Sequence, residues 1–167
     1  MRWNENTDFI VSKAKKRLWT LRRLRKLGFD NSFILDVYTK EIRSVLEYAV
    51  PIWHGALTAK DSEKIERVQK IVLKFLLRHK YSSYTEACKE FGISKLAQRR
   101  EKLCLKFALK EYKKSSSIFM KVPRSYKRPP RRVAKKNFVI VPKSRTQRHQ
   151  RSSFVYLSKL LNEYHNG

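Results

Sequence analysis

Eight basic side chains lie between positions 13 and 26, a density that suits contact with phosphate groups. If this segment is a helix, most of them fall on the arc opposite Ile10, Ala14, Leu18 and Leu21. Trp19 lies on the basic arc, where an aromatic ring among cations suits stacking on a base or a sugar. Two plainer interpretations stay open: Trp19 packs under a neighbouring helix, and the cations form a solvated face. The predicted nucleic-acid-binding residues of this helix are Lys15, Lys16, Trp19, Arg22, Arg23 and Lys26.

A second basic stretch, residues 113–151, holds 14 basic side chains, no acidic one and all the prolines except Pro51. This composition predicts an extended linker that binds phosphates without reading base sequence. A nuclear-localisation signal or an unfolded tail is the alternative. The predicted binding residues here are Arg124, Lys127, Arg128, Arg131, Arg132, Lys135 and Lys136, interleaved with Tyr126 and Phe138.

The whole chain of 167 residues carries a formal charge of +26, which favours a polyanionic partner, RNA or DNA. Hydrophobic residues make up 41%, too many for a disordered basic tail. No catalytic residue, metal site or cofactor is predicted, because the few aspartates are scattered and no phosphate-binding loop is present. Cys88 and Cys104 lack zinc-ligand spacing and are expected to be core thiols, which suits a reduced intracellular protein of the nucleus or cytoplasm.

The elements that position these residues are expected to be mostly α-helical, since only 4 glycines and 5 prolines interrupt the chain. The first helix is predicted from about Asp8 to Leu27 and is stopped by Gly28. A second, from 31 to 50, is expected to be the most buried element and to be closed by Pro51. An uncharged loop through Trp53 and His54 should follow it.

A third helix is predicted to be capped by Asp61 or Ser62, with one apolar stripe and a solvated opposite face. Further helices are expected from Tyr84 to Phe91 and from Lys95 to Tyr112. The latter should turn Leu96, Leu103, Phe107 and Ala108 inward. A C-terminal amphipathic helix is marked by Phe154, Leu157, Leu160, Leu161 and Tyr164.

Residues 137–142 (NFVIVP) are the one strand candidate. The sequence thus predicts a helical domain over 1–112, a basic linker over 113–151 and a helix over 152–167. The longest uncharged stretch, Tyr48 to Ala59, is too short to cross a bilayer, so no membrane partner is expected.

Five segments have a distinctive sequence and order: residues 12–25 (SKAKKRLWTLRRLR), 42–53 (IRSVLEYAVPIW), 65–70 (IERVQK), 99–104 (RREKLC) and 145–154 (RTQRHQRSSF). Together they resemble the region after the catalytic palm in reverse transcriptases of jockey-like non-LTR retrotransposons. The combination of VLEYAxPxW and, about a dozen residues later, IERVQK is the most specific part of the resemblance.

The resemblance implies a truncated RNA-directed DNA polymerase region: a small thumb-like helical bundle and basic tail that hold RNA or an RNA–DNA duplex beside a palm. The palm's aspartate pair has no counterpart in this sequence, so the chain is not expected to polymerise by itself. The palm of a cognate reverse transcriptase is an implied partner. Apolar faces that would have packed on it could instead promote self-association. Glu47 and Tyr48 match the family's most recognisable block, but packing and a buried hydrogen bond are their expected role.

A second function class remains open on the residues alone. An independent basic helical module, of a ribosomal or chromatin-associated type, would show the same charge and the same helical spacing.

Overall fold

A computed structural model describes residues 3–114, 116–119 and 139–166, with side chains from Glu5 onward. The chain is mostly α-helical, as predicted, and the described residues form no strand. The helices are α1 (Trp3–Lys26), α2 (Asn31–Val37), α3 (Ser44–Leu46), α4 (Val50–Trp53), α5 (Ala59–Leu77), α6 (Tyr84–Glu90), α7 (Leu96–Lys113), α8 (Gln147–Gln150) and α9 (Ser153–Asn166). No helix among these residues has the length and apolar character needed to cross a membrane.

The chain divides into two compact units. The N-terminal unit comprises Met1–Ala49 with Leu57–Arg100, and the C-terminal unit comprises Val50–Ala56 with Glu101–Gly167. Helix α7 starts in the first unit and continues into the second. The division therefore falls within α7, whereas the sequence analysis placed its boundaries at residues 112 and 151.

Helix α1 ends where the sequence predicted, because Gly28 adopts a φ of 87° that a side chain disfavours. It starts earlier than predicted, at Trp3 rather than near Asp8. Ile10, Ala14 and Leu21 are buried along one face, as their spacing indicated, whereas Leu18 of the same predicted face is half-buried.

The chain from α2 to α3 is one helical run with a π-helical segment, Tyr38–Arg43, in its middle. Only every fourth residue of the run is buried, namely Ile34, Tyr38, Ile42 and Leu46. The prediction that this is the most buried element is therefore wrong. Helix α5 buries more, because Glu66, Gln69, Leu73 and Leu77 are covered in addition to four residues of its predicted stripe, Ile65, Val68, Val72 and Leu76. The other two residues of that stripe are less covered: Ile71 is 41% exposed and Phe75 is half-buried. The predicted solvated face of α5 is accordingly narrower than expected.

Pro51 does not close the second helix. The helical run ends at Leu46, and Ala49 turns the chain with a φ of 51°. Pro51 is then the second residue of α4, where a missing backbone N–H leaves no hydrogen bond unmade. His54–Ala56 form a 3₁₀ turn, so the predicted loop through Trp53 and His54 is largely helical.

The cap of α5 also differs from the prediction. Thr58, rather than Asp61 or Ser62, is the N-cap, and its hydroxyl accepts a hydrogen bond of 3.1 Å from the backbone N–H of Asp61. The Asp61 carboxylate accepts the Thr58 hydroxyl at 2.7 Å and is buried in the first turn. Negative charge at this position stabilises the helix N-terminus.

Helices α6 and α7 lie close to their predicted positions, and Gly92 turns the chain between them with a φ of 62°. The inward row of α7 is partly wrong. Cys104 and Ala108, four residues apart, are fully buried, whereas Phe107 is 37% exposed. The buried row of α7 consists of Leu96, Arg100, Cys104 and Ala108, spaced four residues apart, so Phe107 lies at its edge.

The C-terminal unit is built around α9, whose Val155, Leu157 and Leu161 are buried. Tyr164 was predicted to belong to this face, but it is 55% exposed in the last turn. Gly55 packs so closely on α9 that an added Cβ would lie 2.6 Å from the Cβ of Tyr156. Burial raises the pKa of the Tyr156 phenol to about 12.

The described ends of the basic stretch belong to this unit as well. Phe119 is buried and stacks on Phe154 of α9, with ring centroids 5.7 Å apart. Val139 is buried, and its backbone N–H and C=O pair with the Asn162 side-chain amide at 2.9 and 3.0 Å. The predicted strand is wrong over 139–142, because Val139 is only an isolated bridge residue and residues 140–142 have no regular secondary structure. Residues 137–138 lie outside the described part. Helix α8 likewise replaces predicted linker.

Candidate nucleic-acid interface

Two pairs of polar residues and a buried apolar face orient α1 in the N-terminal unit. Asp8 pairs with Lys64 of α5 at 2.6 Å, and this hydrogen bond raises the pKa of Lys64. Arg17 bonds the backbone carbonyl and the carboxylate of Glu41. With Ile10, Ala14 and Leu21 buried, these contacts determine which face of α1 is turned to solvent.

The six binding residues predicted on α1 all lie on that solvent-exposed face. We call this set the α1 basic face; it consists of Lys15, Lys16, Trp19, Arg22, Arg23 and Lys26. Trp19 is 60% exposed, so the alternative in which its ring packs under a neighbouring helix does not describe this structure. The guanidinium carbon of Arg23 lies 5.1 Å from the centroid of the Trp19 ring. The ring is thus held beside a cation with much of its surface accessible.

The other arginines of this helix have a different role. Arg17 contacts Glu41, and Arg25 donates a hydrogen bond of 3.3 Å to the carbonyl of Leu76. Arg25 also lies with its guanidinium carbon 5.5 Å from the centroid of the Phe75 ring. The fold uses these two arginines for its own contacts, whereas the α1 basic face faces solvent.

The second predicted set lies outside the described residues. It consists of Arg124, Lys127, Arg128, Arg131, Arg132, Lys135 and Lys136. The described parts of the same stretch end at Phe119 and resume at Val139, and both of these residues are buried in the C-terminal unit.

A buried polar cluster joins α5 to α6 and α7, and sequence reasoning missed it. Gln69, fully buried, accepts a hydrogen bond of 2.9 Å from the Tyr38 hydroxyl and donates to the Tyr84 hydroxyl and the Ser94 carbonyl, each at 3.0 Å. Tyr84 donates to Glu66. The Glu66 carboxylate also accepts backbone N–H groups in the first turn of α7, where an anion is favoured.

Burial shifts the titration of this cluster. The pKa of the Tyr38 phenol lies well above its usual range because the ring is taken out of water. Burial also raises the pKa of Tyr84, and its hydrogen bond to Glu66 adds to the effect. Cys88 and Cys104 are buried thiols that form no disulfide, as predicted, and burial raises the pKa of Cys88. The phenols are thus held neutral as hydrogen-bond donors.

Three of the four aspartates occupy a cap or helix-surface position, and the fourth, Asp61, is buried. Asp30 is the N-cap of α2, and the hydrogen bond from Ser32 lowers its pKa. Asp36 pairs with Lys40 at 2.6 Å, Asp8 with Lys64, and Asp61 lies in the first turn of α5. Across the described residues, no three His, Cys, Asp or Glu side chains are grouped so that they could hold a metal ion.

Comparison with protein-family models, curated proteins and solved structures finds no match.

Glu47 and Tyr48, for which the same structural role was expected, differ in the structure. Glu47 forms an ion pair with Arg99, which joins the end of α3 to α7 within the N-terminal unit. This contact agrees with the structural role expected for Glu47. Tyr48 is 77% exposed, so the expectation that it packs in the core is wrong.

Proposed function

We propose that this chain binds RNA or an RNA–DNA duplex through the α1 basic face, as the thumb-like region of a non-LTR reverse transcriptase would. The observation that carries the proposal is that the basic residues of α1 fall into two groups, one bound within the fold and one exposed to solvent. Arg17 and Arg25 are engaged by the fold, while all six predicted residues face solvent with an aromatic ring at their centre.

Charge supports the same proposal. The formal charge of +26 far exceeds the few units that a soluble domain of this size needs for solubility. Cations held on one helix face neutralise phosphates and release counterions, which gives strong, salt-dependent affinity. Trp19 adds a flat apolar surface on which a base or sugar can stack.

The same proposal assigns the chain to binding and not to nucleotide transfer. Each aspartate is engaged in a cap or an ion pair of the fold, so the carboxylate pair that a two-metal polymerase needs would have to come from elsewhere, such as a cognate palm. Primer-extension assays on an RNA template should give no product with the chain alone. Nucleotide incorporation that persists through repurification would contradict this assignment.

The binding proposal is tested by removing three charges from the α1 basic face. The variant Lys15→Gln/Arg22→Gln/Lys26→Gln is compared with a control that loses the same charge at exposed sites elsewhere, Lys89→Gln/Lys106→Gln/Lys110→Gln. Affinity for a labelled RNA–DNA duplex is measured over a salt series. The slope of log affinity against log salt should fall by roughly 0.7 to 0.9 for each lost contact in the first variant and stay near the parent value in the control. Equal slopes for both variants would overturn the proposal.

A further inference from the structure

Helices α1 and α5 lie side by side and run in the same direction. The Asp8 and Lys64 pair joins them near their N-terminal ends, and Arg25 reaches Phe75 and Leu76 near their C-terminal ends. Both helices therefore end at the same end of the N-terminal unit. The α1 basic face continues to that end through Arg22 and Lys26.

Positive charge is distributed unevenly along α5. The cations in the middle of α5 are paired with acids, since Lys64 contacts Asp61 and Asp8, and Lys70 contacts Glu63 at 2.9 Å. Lys60, in the first turn, is exposed and forms no ion pair within the described residues. The C-terminal end of α5 differs from the middle: Lys74, Arg78 and Lys80 are exposed, and within the described part of the chain none of the three forms an ion pair with a carboxylate. The end of α5 is thus a cationic surface that the fold does not neutralise.

An aromatic ring holds one of these cations in place. The Lys74 Nζ lies 5.2 Å from the centroid of the Tyr81 ring, and Tyr81 is half-buried against the core of α5 and α6. A lysine that rests on a fixed ring loses less freedom when it meets an anion than a lysine that moves freely. This arrangement repeats the pairing of Arg23 with Trp19 on α1.

Backbone strain marks the same place. Arg78, at the end of α5, has a φ of 50° and a ψ of −117°, a conformation that favours glycine. An L-residue held in such a region is strained, and residues of this kind cluster at functional sites. A long cationic side chain thus stands where glycine would relieve the strain, which points to a use for its charge.

A shallow groove connects the two cationic surfaces. Leu18 and Arg22 of α1 face Ile71 and Phe75 of α5 across it, and Ile71 is 41% exposed. One turn further along α5 is Lys74. A phosphate backbone that follows the α1 basic face can therefore cross this groove to the end of α5 without passing an acidic side chain of the groove lining.

We propose that Lys74, Arg78 and Lys80 form a second phosphate-binding surface, and that one nucleic-acid backbone crosses from the α1 basic face to the end of α5. This inference rests on the proposed function and extends its site. The bound chain is held across the ends of two parallel helices, with the apolar groove of Ile71 and Phe75 between the two rows of cations.

The test uses the full chain with the variant Lys74→Gln/Arg78→Gly/Lys80→Gln. This α5 variant loses three positive charges, as many as the α1 variant Lys15→Gln/Arg22→Gln/Lys26→Gln and the control Lys89→Gln/Lys106→Gln/Lys110→Gln. Glycine at position 78 removes the charge and relieves the strained backbone, so the fold is kept. Affinity for a labelled RNA–DNA duplex is measured over a salt series for all of them. The slope of log affinity against log salt should fall by roughly 0.7 to 0.9 for each contact that the α5 variant loses, about 2 to 3 in all. In a variant that combines the α1 and α5 substitutions, the two effects should add.

The outcomes separate this inference from the binding proposal. A reduced slope for the α1 variant with a control-like slope for the α5 variant overturns the inference alone. Control-like slopes for both variants overturn the proposed function together with it. Thermal unfolding of the α5 variant and of the control is measured in parallel. If the cations serve only to stabilise the helix ends, the α5 variant melts at a lower temperature than the control and binds like it, which also overturns the inference.

Discussion

The α1 basic face and the buried polar cluster use polar groups in opposite ways. On α1, Trp19 is 60% exposed and the cations around it face solvent, whereas Tyr38 and Gln69 are fully buried and hydrogen-bonded to each other. A polar group inside the protein must find its partner within the chain, because a buried group without one lowers the stability of the fold by its desolvation cost. A polar group outside keeps its capacity for a partner in solution. Substitutions should therefore affect folding in one region and binding in the other.

Removing the centre of the buried cluster should have the largest effect. Gln69→Leu leaves the Tyr38 hydroxyl and the Ser94 carbonyl without their partner, at about 1–3 kcal/mol for each buried group. The measurement is the free energy of unfolding in urea. Gln98→Leu, the same change at an exposed position of α7, is the control and should stay within about 0.5 kcal/mol of the parent. Equal stability of the two variants would mean that the cluster does not hold α5 to α6 and α7.

Trp19→Ala should weaken the binding of nucleic acid and leave the stability of the fold unchanged, the opposite of what we expect for Gln69→Leu. We expect a loss of about 1–3 kcal/mol in affinity for RNA–DNA duplex, with an unchanged salt slope because no cation is removed. Tyr164→Ala removes another exposed ring, in the C-terminal unit, and should bind like the parent. A lowered melting temperature for Trp19→Ala would place the ring in the core after all.

The buried phenols predict a loss of stability at alkaline pH. Their folded-state pKa values lie above the ordinary value of 10.0, so they stabilise the fold below about pH 10 and this stability is lost as the pH rises further. The free energy of unfolding should fall by about 1.4 kcal/mol per pH unit for each phenol. Tyr38→Phe should show a shallower decline than the parent. Tyr48→Phe, which changes an exposed tyrosine, should not; identical slopes for these two variants would contradict the assignment.

The smallest contrast is within α1 itself. Arg17→Gln loses the contacts to Glu41 and should cost at most about 1 kcal/mol of stability with little change in the salt slope of binding. Arg23→Gln should lower that slope by roughly 0.7 to 0.9 and leave the unfolding free energy within about 0.5 kcal/mol. If Arg17→Gln changes the binding slope as much as Arg23→Gln does, the division of the basic residues of α1 into two groups is wrong.

Sequence alone was enough for what repeats along a helix. The face of α1 follows from residue spacing, and the glycines that end α1 and α6 do so because a positive φ suits them. Exposure of the α1 basic face follows from the same periodicity. The role of Arg17 and Arg25 does not, because it depends on which neighbour each one meets.

The errors arose where distant parts of the chain decide the outcome. Glu66 and Gln69 read as polar surface on α5, and only the approach of α6 and α7 makes them interior. Thr58 caps α5 from a segment that was expected to be loop. The surface that we propose at the end of α5 has no periodic signal in the sequence, because Arg78 and Lys80 lie beyond the helix; the run Arg78, His79 and Lys80 directly after an apolar stripe is the available signal.

The two anchors at Phe119 and Val139 have a topological consequence. Both are held by the same helix, since Phe119 stacks on Phe154 and Val139 pairs with Asn162, and both partners belong to α9. Phe119 and Gly55 precede residues 120–138, whereas their partners Phe154 and Tyr156 follow them, so the interior of the C-terminal unit is shared by two parts of the chain. Two fragments divided between residues 119 and 139 would each supply one side of these contacts, which makes the pair a candidate for fragment complementation.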